Sequence, residues 1–118
     1  MERFLEAFPK AYDSVQYDFW VGSPPPFNPI VNEETEGSAD GLYRRKIDVI
    51  GHKFNRANII ELKPNAGASA FGQVLGYRDL YVRDEAPGYT PGAVVITDRA
   101  SEDIFFLAKK RGVHLIVI

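Results

Sequence analysis

Two Ile- and Val-rich runs, Leu42–Gly51 and Ala57–Lys63, flank a short polar stretch, His52-Lys53-Phe54-Asn55-Arg56. Residues of that type suit a pleated, half-buried surface, and the polar stretch suits a turn, so the runs read as antiparallel strands of one hairpin. Centred between Phe54 and Asn55, the hairpin pairs Asp48 directly with Glu61. Glu61 and Lys63 are two apart and project from one face of their strand. Like charges facing each other across a ladder repel. A divalent cation is the usual compensation, and the Lys63 amine then sits beside it as a second positive group.

The rest of the chain supplies the elements to complete a layered domain. Glu2–Phe8 predicts a short helix that stops before Pro9, and the alternating, aromatic-rich Tyr12–Val21 predicts a strand. Gly22 and Pro24-Pro25-Pro26 end that strand, and the Pro-, Asn- and Glu-rich segment at about 23–40 reads as an excursion without periodicity. After the hairpin, Pro64-Asn65-Ala66-Gly67 predicts a turn, and Ser69 begins a helix reaching about Arg83. Ala93–Thr97 reads as a short buried strand. Ser101–Arg111 is the clearest helix: Ser101 caps it, Glu102 and Asp103 lie in the first turn, and Lys109-Lys110-Arg111 lie in the last. Gly112 closes it, and Val113–Ile118 is a final apolar strand. The order α-β-β-β-α-β-α-β predicts an α/β fold with a mixed central sheet flanked by helices. A length of 118 residues suits one domain spanning 1–118, with the 23–40 excursion inside it.

Composition excludes several chemistries. There is no cysteine, hence no disulfide, no thiol nucleophile, no Cys-ligated zinc and no Cys-ligated iron–sulfur cluster. No apolar run is long enough to span a bilayer, and the N-terminal residues lack the apolar run of a signal peptide. The expected location is therefore the cytoplasm. The net charge of −2 argues against tight nucleic-acid binding when taken as a total. Its distribution argues otherwise: residues 1–43 carry eight acids and two bases, residues 44–118 eight acids and twelve bases. Arg44-Arg45-Lys46 leads into the Asp48 strand, and Arg78 lies on the following helix, so these four are candidates for contacts to a nucleic-acid backbone. For any one of them, a solvated surface charge is the competing reading.

A hard ion such as Mg²⁺ or Mn²⁺ takes oxygen ligands and keeps several waters. Asp48, Glu61 and the Leu62 backbone carbonyl offer such ligands from adjacent strands, and Lys63 can orient a water or offset developing negative charge. The competing reading is an ordinary cross-strand charge cluster. Three features weigh against it. The flanking residues Ile47, Val49, Ile50, Ile59 and Ile60 mark a core sheet, and Pro64-Asn65-Ala66-Gly67 opens space just after the lysine. Gln73 and Tyr77 are i, i+4 on the next helix and share a face. Gly72 and Gly76, which cost helix propensity, imply close approach of that helix to the sheet or to a ligand.

Ile47-Asp48, a gap of twelve, Glu61-Leu62-Lys63 and then Gln73-x-x-x-Tyr77 resemble the PD-(D/E)XK nuclease superfamily, in the subset with a QxxxY motif on the helix after the lysine strand. The string around these motifs also resembles small uncharacterised proteins encoded by tailed phages. The likeness runs from about Arg45 to Tyr81 and departs at Ile47, which stands where the motif has proline. It implies a restriction-endonuclease-like core, Asp48 and Glu61 as ligands of Mg²⁺ or Mn²⁺, and Lys63 as a catalytic residue. It further implies that Gln73 and Tyr77 position the water or a phosphate, and that a helix-1 glutamate, Glu6 before Glu2, adds a ligand. Two functions follow. One is a metal-dependent DNA endonuclease or exonuclease, phage-encoded, working in the host cytoplasm, with a homodimer helping so small a face span a duplex. The other is a catalytically inactive nuclease-fold protein that partners another virion or assembly protein, with the virion as its expected location. His52 and His114 read as structural, Ser69 lacks a nucleophile-elbow context, and no dinucleotide loop is present. Trp20, Tyr17 and Phe19 read as core before base-stacking residues.

Overall fold

The computed structural model describes residues 1–22 and 45–118. The excursion at 23–40, Arg44 and the expected start of the second strand at Leu42 lie outside the described residues. Helix α1 (Glu2–Ala7) is followed by strands β1 (Ser14–Val21), β2 (Arg45–Lys53) and β3 (Arg56–Leu62). Helix α2 (Ala68–Glu85), strand β4 (Gly92–Thr97), helix α3 (Glu102–Arg111) and strand β5 (His114–Val117) complete the order. The sheet runs β1-β2-β3-β4-β5, antiparallel through the first three strands and parallel through the last three. This is the α/β fold with a mixed sheet that the sequence pattern predicts. No helix among the described residues is long and apolar enough to cross a membrane.

Two apolar clusters lie on opposite faces of the sheet. Ile47, Ile50, Ile59 and Val95 pack with Phe71 and Val74 of α2 and Ala108 of α3. Val49, Ile60, Val94 and Ile96 pack with Phe4 of α1. Ile59 and Ile60 are neighbours in sequence and reach opposite clusters, as a period-two strand covered on both sides requires. The ends of α3 follow their chemistry. Ser101 Oγ accepts the Ile104 N–H at 3.3 Å, and Gly112 takes φ 72, a left-handed cap that glycine adopts at least cost. Helix α2 differs from expectation at its start: Gly67, not Ser69, is the N-cap, and no side chain caps it.

The β2–β3 hairpin closes on Phe54-Asn55, with Lys53 paired to Arg56 and Phe54 at φ 54. The Asp13 carboxylate accepts the Phe54 N–H at 2.8 Å. At Gly51 the sheet admits no side chain, because a Cβ there falls 2.6 Å from the Tyr12 ring. That ring is held in turn by Asn58, whose Nδ2 donates to the Tyr12 hydroxyl at 2.9 Å. Gly51→Ala is therefore expected to destabilise the fold by about 1–3 kcal/mol, the usual cost of overpacking. Urea unfolding that finds less than about 0.5 kcal/mol, the scale of an ordinary surface change, contradicts this packing.

Candidate functional site

The site lies where β2 leaves β3. Pairing between the two strands runs from Lys53–Arg56 to Val49–Ile60 and stops. The next step is Asp48 against Glu61, the register the sequence predicts, but the two do not form a ladder pair. Beyond it β2 stays with β1, pairing Ile47 to Phe19 and Arg45 to Val21. Meanwhile β3 stays with β4, pairing Leu62 to Ile96, and the Lys63 N–H extends that contact by donating to the Ile96 carbonyl at 3.0 Å. The sheet thus forks. In the crotch Asp48 Oδ2 accepts the Leu62 N–H at 3.0 Å, a backbone donor that a closed ladder would have given to β2.

Asp48 also reaches Glu61. The Glu61 side chain is only 7% exposed, and its carboxyl is pushed up from 4.5 to about 7. Burial is the largest cause and the Asp48 charge the second; Lys63 acts in the opposite sense, and a hydrogen bond with Asp48 adds a further rise. Oε2 of Glu61 has no hydrogen-bond partner among the described residues. A buried carboxylate oxygen left unpaired is costly, and such atoms are rare in native structures.

Tyr77 on α2 is near enough to feel both carboxylates. Burial raises its phenol above the ordinary value, with further rises from Glu61 and Asp48, while Arg45 lowers it. Tyr77, Gln73, Ser69 and Arg45 line a depression of about 420 Å³ floored by Gly72 and Gly76. A Cβ at either glycine meets nothing within 4 Å. Their cost in helix stability therefore has no packing cause, which removes one of the two explanations the sequence offers and leaves open space on the solvent side. Lys63 lines a separate cavity of about 430 Å³ at the ends of β3 and β4, with Arg3, Glu2 and Asp98.

One expectation of the site is corrected, that for Glu6. Glu6 is not brought to the pair: α1 packs by Phe4 onto the other sheet face, and Glu6 lines a depression with Arg3, Phe8 and Val117. Glu2 lies in the Lys63 cavity. Among the described residues no group of three or more His, Cys, Asp or Glu is placed to hold an ion together. Lys46 is 3.5 Å from Asp18, both being exposed, and Arg78 is half-buried one residue beyond Tyr77 on α2. Tyr17 and Trp20 are exposed, whereas Phe19 packs edge-on to Tyr81 at 5.8 Å. His52 Nε2 and Gln16 Oε1 are 2.7 Å apart, a hydrogen bond between neighbouring strands, and His114 is exposed on β5.

The oxygen donors fit a hard divalent ion. Asp48 and Glu61 are hard carboxylates, Asp48 sits on the Leu62 backbone, and the orphaned Glu61 Oε2 is a buried acceptor without a hydrogen-bond partner among the described residues. With two carboxylates, most of the coordination shell falls to water and substrate.

No known family matches the chain, and no curated protein matches it. Its fold is restriction-endonuclease-like, and it superposes on solved structures at low sequence identity. One is a repair endonuclease from Pyrococcus abyssi, at TM-score 0.58 and 16% identity, covering 100% of this chain and 45% of that one. Another is an EndoMS–dsDNA complex, at TM-score 0.57 and 13% identity, covering 100% of this chain and 42% of that one. A third is AF1548, a protein of unknown function, at TM-score 0.59 and 17% identity, covering 97% and 52%. The chain spans about half the length of these structures or less.

Proposed function

We propose that this chain is a metal-dependent nuclease that hydrolyses DNA phosphodiester bonds, with the ion held by Asp48, Glu61 and the Leu62 carbonyl. The observation that carries the reading is Glu61: buried, pressed against a second carboxylate and left with an unpaired oxygen where β2 leaves β3. In a structural charge cluster that arrangement is a cost, whereas a bound cation would pair the oxygen and offset the repulsion. The endonuclease likeness in fold, including one protein solved on double-stranded DNA, agrees with the substrate class.

When bound, such an ion supplies Lewis acidity toward a phosphoryl oxygen and an attacking water. The chain's own groups do the rest. The Lys63 amine, close enough to Glu61 to favour its ionised form, offsets charge on the phosphoryl group and orients the water. Tyr77 and Gln73 offer hydrogen-bond donors at the edge of the α2 depression, where Arg45 provides a guanidinium for a neighbouring phosphate. The two glycines leave room for a sugar–phosphate backbone to lie against the helix. Lys46 can exchange its exposed partner Asp18 for a phosphate at little cost.

The test is cleavage of supercoiled, linear, single-stranded and branched DNA with Mg²⁺ or Mn²⁺ and with chelator, alongside calorimetric titration of Mn²⁺. Metal-dependent cleavage of at least one form, together with Mn²⁺ binding that Asp48→Ala removes, supports the proposal. An inert chain that binds no Mn²⁺ overturns it in favour of a nuclease-fold assembly protein.

A further inference from the structure

Strand β1 is irregular at the same level as the fork. Tyr17 pairs with Val49 and Phe19 with Ile47, so Asp18 stands opposite Asp48, and this one pair is missing from an otherwise continuous ladder. The register is the same on both sides of the gap, so no residue is inserted as in a bulge. What changes is the facing of the side chains. Val15 packs with the α1 cluster, whereas Phe19 and Val21, at the same parity, pack with the α2 cluster. In β2, Val49 belongs to the α1 cluster and Ile47 to the α2 cluster, although residues two apart on a regular strand share a face. Both strands turn over together at the Asp18–Asp48 step. Asp18 has φ 55, the left-handed conformation that L residues avoid and that Asp and Asn tolerate better than most.

We propose that Asp18 is a positioning residue, whose left-handed backbone turns β2 over at Asp48 and so aims the Asp48 carboxylate at the Leu62 N–H and brings Arg45 beneath α2. Its carboxylate has a minor part, since its ion pair with Lys46 is between exposed groups. The conformation is what matters. Asp48 leaves the ladder because its partner position cannot pair, and the turnover puts Arg45 and Ile47 on the α2 face while Val49 remains on the other. The functional consequence rests on Asp48 and Glu61 being the ion ligands; the geometric one does not.

The experiment compares Asp18→Val, Asp18→Ala, Asp18→Asn and Asp18→Gly. Asn and Gly accept a positive φ, whereas Ala resists it and β-branched Val resists it most. In the metal-free protein, exchange of the Leu62 amide proton is expected to accelerate about tenfold or more in Val, less in Ala, and not in Asn or Gly. Mn²⁺ affinity and cleavage should follow the same order. If Val does not fold, Ala against Asn carries the comparison. Leu62 protection that is unchanged in Val and Ala overturns the proposal, as does Asn losing as much as Val, which would assign the effect to the carboxylate. A wild type that binds no Mn²⁺ while the Leu62 order holds instead overturns the ion-site reading and leaves the positioning role standing.

Discussion

Lys63→Ala is expected to lower the proposed metal-dependent DNA cleavage by about 10²–10³, the usual worth of a group that stabilises transition-state charge. Mn²⁺ binding and thermal stability should be largely retained. Lys63 joins the sheet through its backbone N–H, given to the Ile96 carbonyl, and that bond survives truncation of the side chain. The side chain is half-buried at a cavity edge, so its loss empties no core. One secondary effect is foreseeable. Lys63 favours ionised Glu61, so without it the carboxyl holds its proton to higher pH. Cleavage should therefore be compared across a pH series with saturating Mn²⁺, so that a deficit persisting at the alkaline plateau belongs to the amine. Lys63→Arg keeps the charge on a bulkier head and should recover part of the rate. Nicking that persists undiminished in Lys63→Ala does not come from this site, and wild type and variant equally inert on every form of DNA point to the assembly reading.

The positions of Asp48, Glu61 and Lys63 were legible because a period-two pattern and a short polar turn set a register, and that register is the observed one up to Val49–Ile60. The next step was not legible. A left-handed Asp18 is a conformation of one residue with no mark in composition or periodicity, yet it decides that Asp48 reaches Leu62 by its side chain instead of lying in a ladder. The same turnover leaves Tyr17 and Trp20 exposed and Phe19 covered, against the expectation that the aromatic strand is core. Glu6 as a ligand is implied by the resemblance alone, and no local pattern says which side of the sheet the first helix covers; Phe4 settles it by packing with Val49 and Ile60. Gly72 and Gly76 were recognisable as costly residues, and only the open space beside them separates a ligand from a packing explanation.

Glu61→Gln should make the metal-free protein more stable at pH 8 by roughly 1–3 kcal/mol, the upper figure being the whole rise in its carboxyl and the lower one allowing for solvent screening, while abolishing specific Mn²⁺ binding. The sign follows from the proton. In the unfolded chain Glu61 ionises around 4.5, and in the fold it keeps its proton to about 7. Below 4.5 both states are protonated and the residue costs nothing. Between 4.5 and 7 the unfolded state releases a proton that the folded state retains, so stability falls as pH rises. Above 7 the folded carboxylate is ionised beside Asp48 and the full cost is present. Glutamine has nearly the same shape, can still hydrogen-bond to Asp48 and does not titrate, so this slope should vanish and the two proteins should converge near pH 4.5. Saturating Mn²⁺ should close the gap or reverse it: at a free concentration about 100 times Kd, binding stabilises wild type by roughly 2.7 kcal/mol, and the variant gains nothing. Denaturant unfolding from pH 4.5 to 8.5, with Mn²⁺ and with chelator, measures all of this. A wild-type pH slope that persists in Glu61→Gln shows that another group carries it. Equal stabilisation of both proteins by Mn²⁺ places the ion away from the fork.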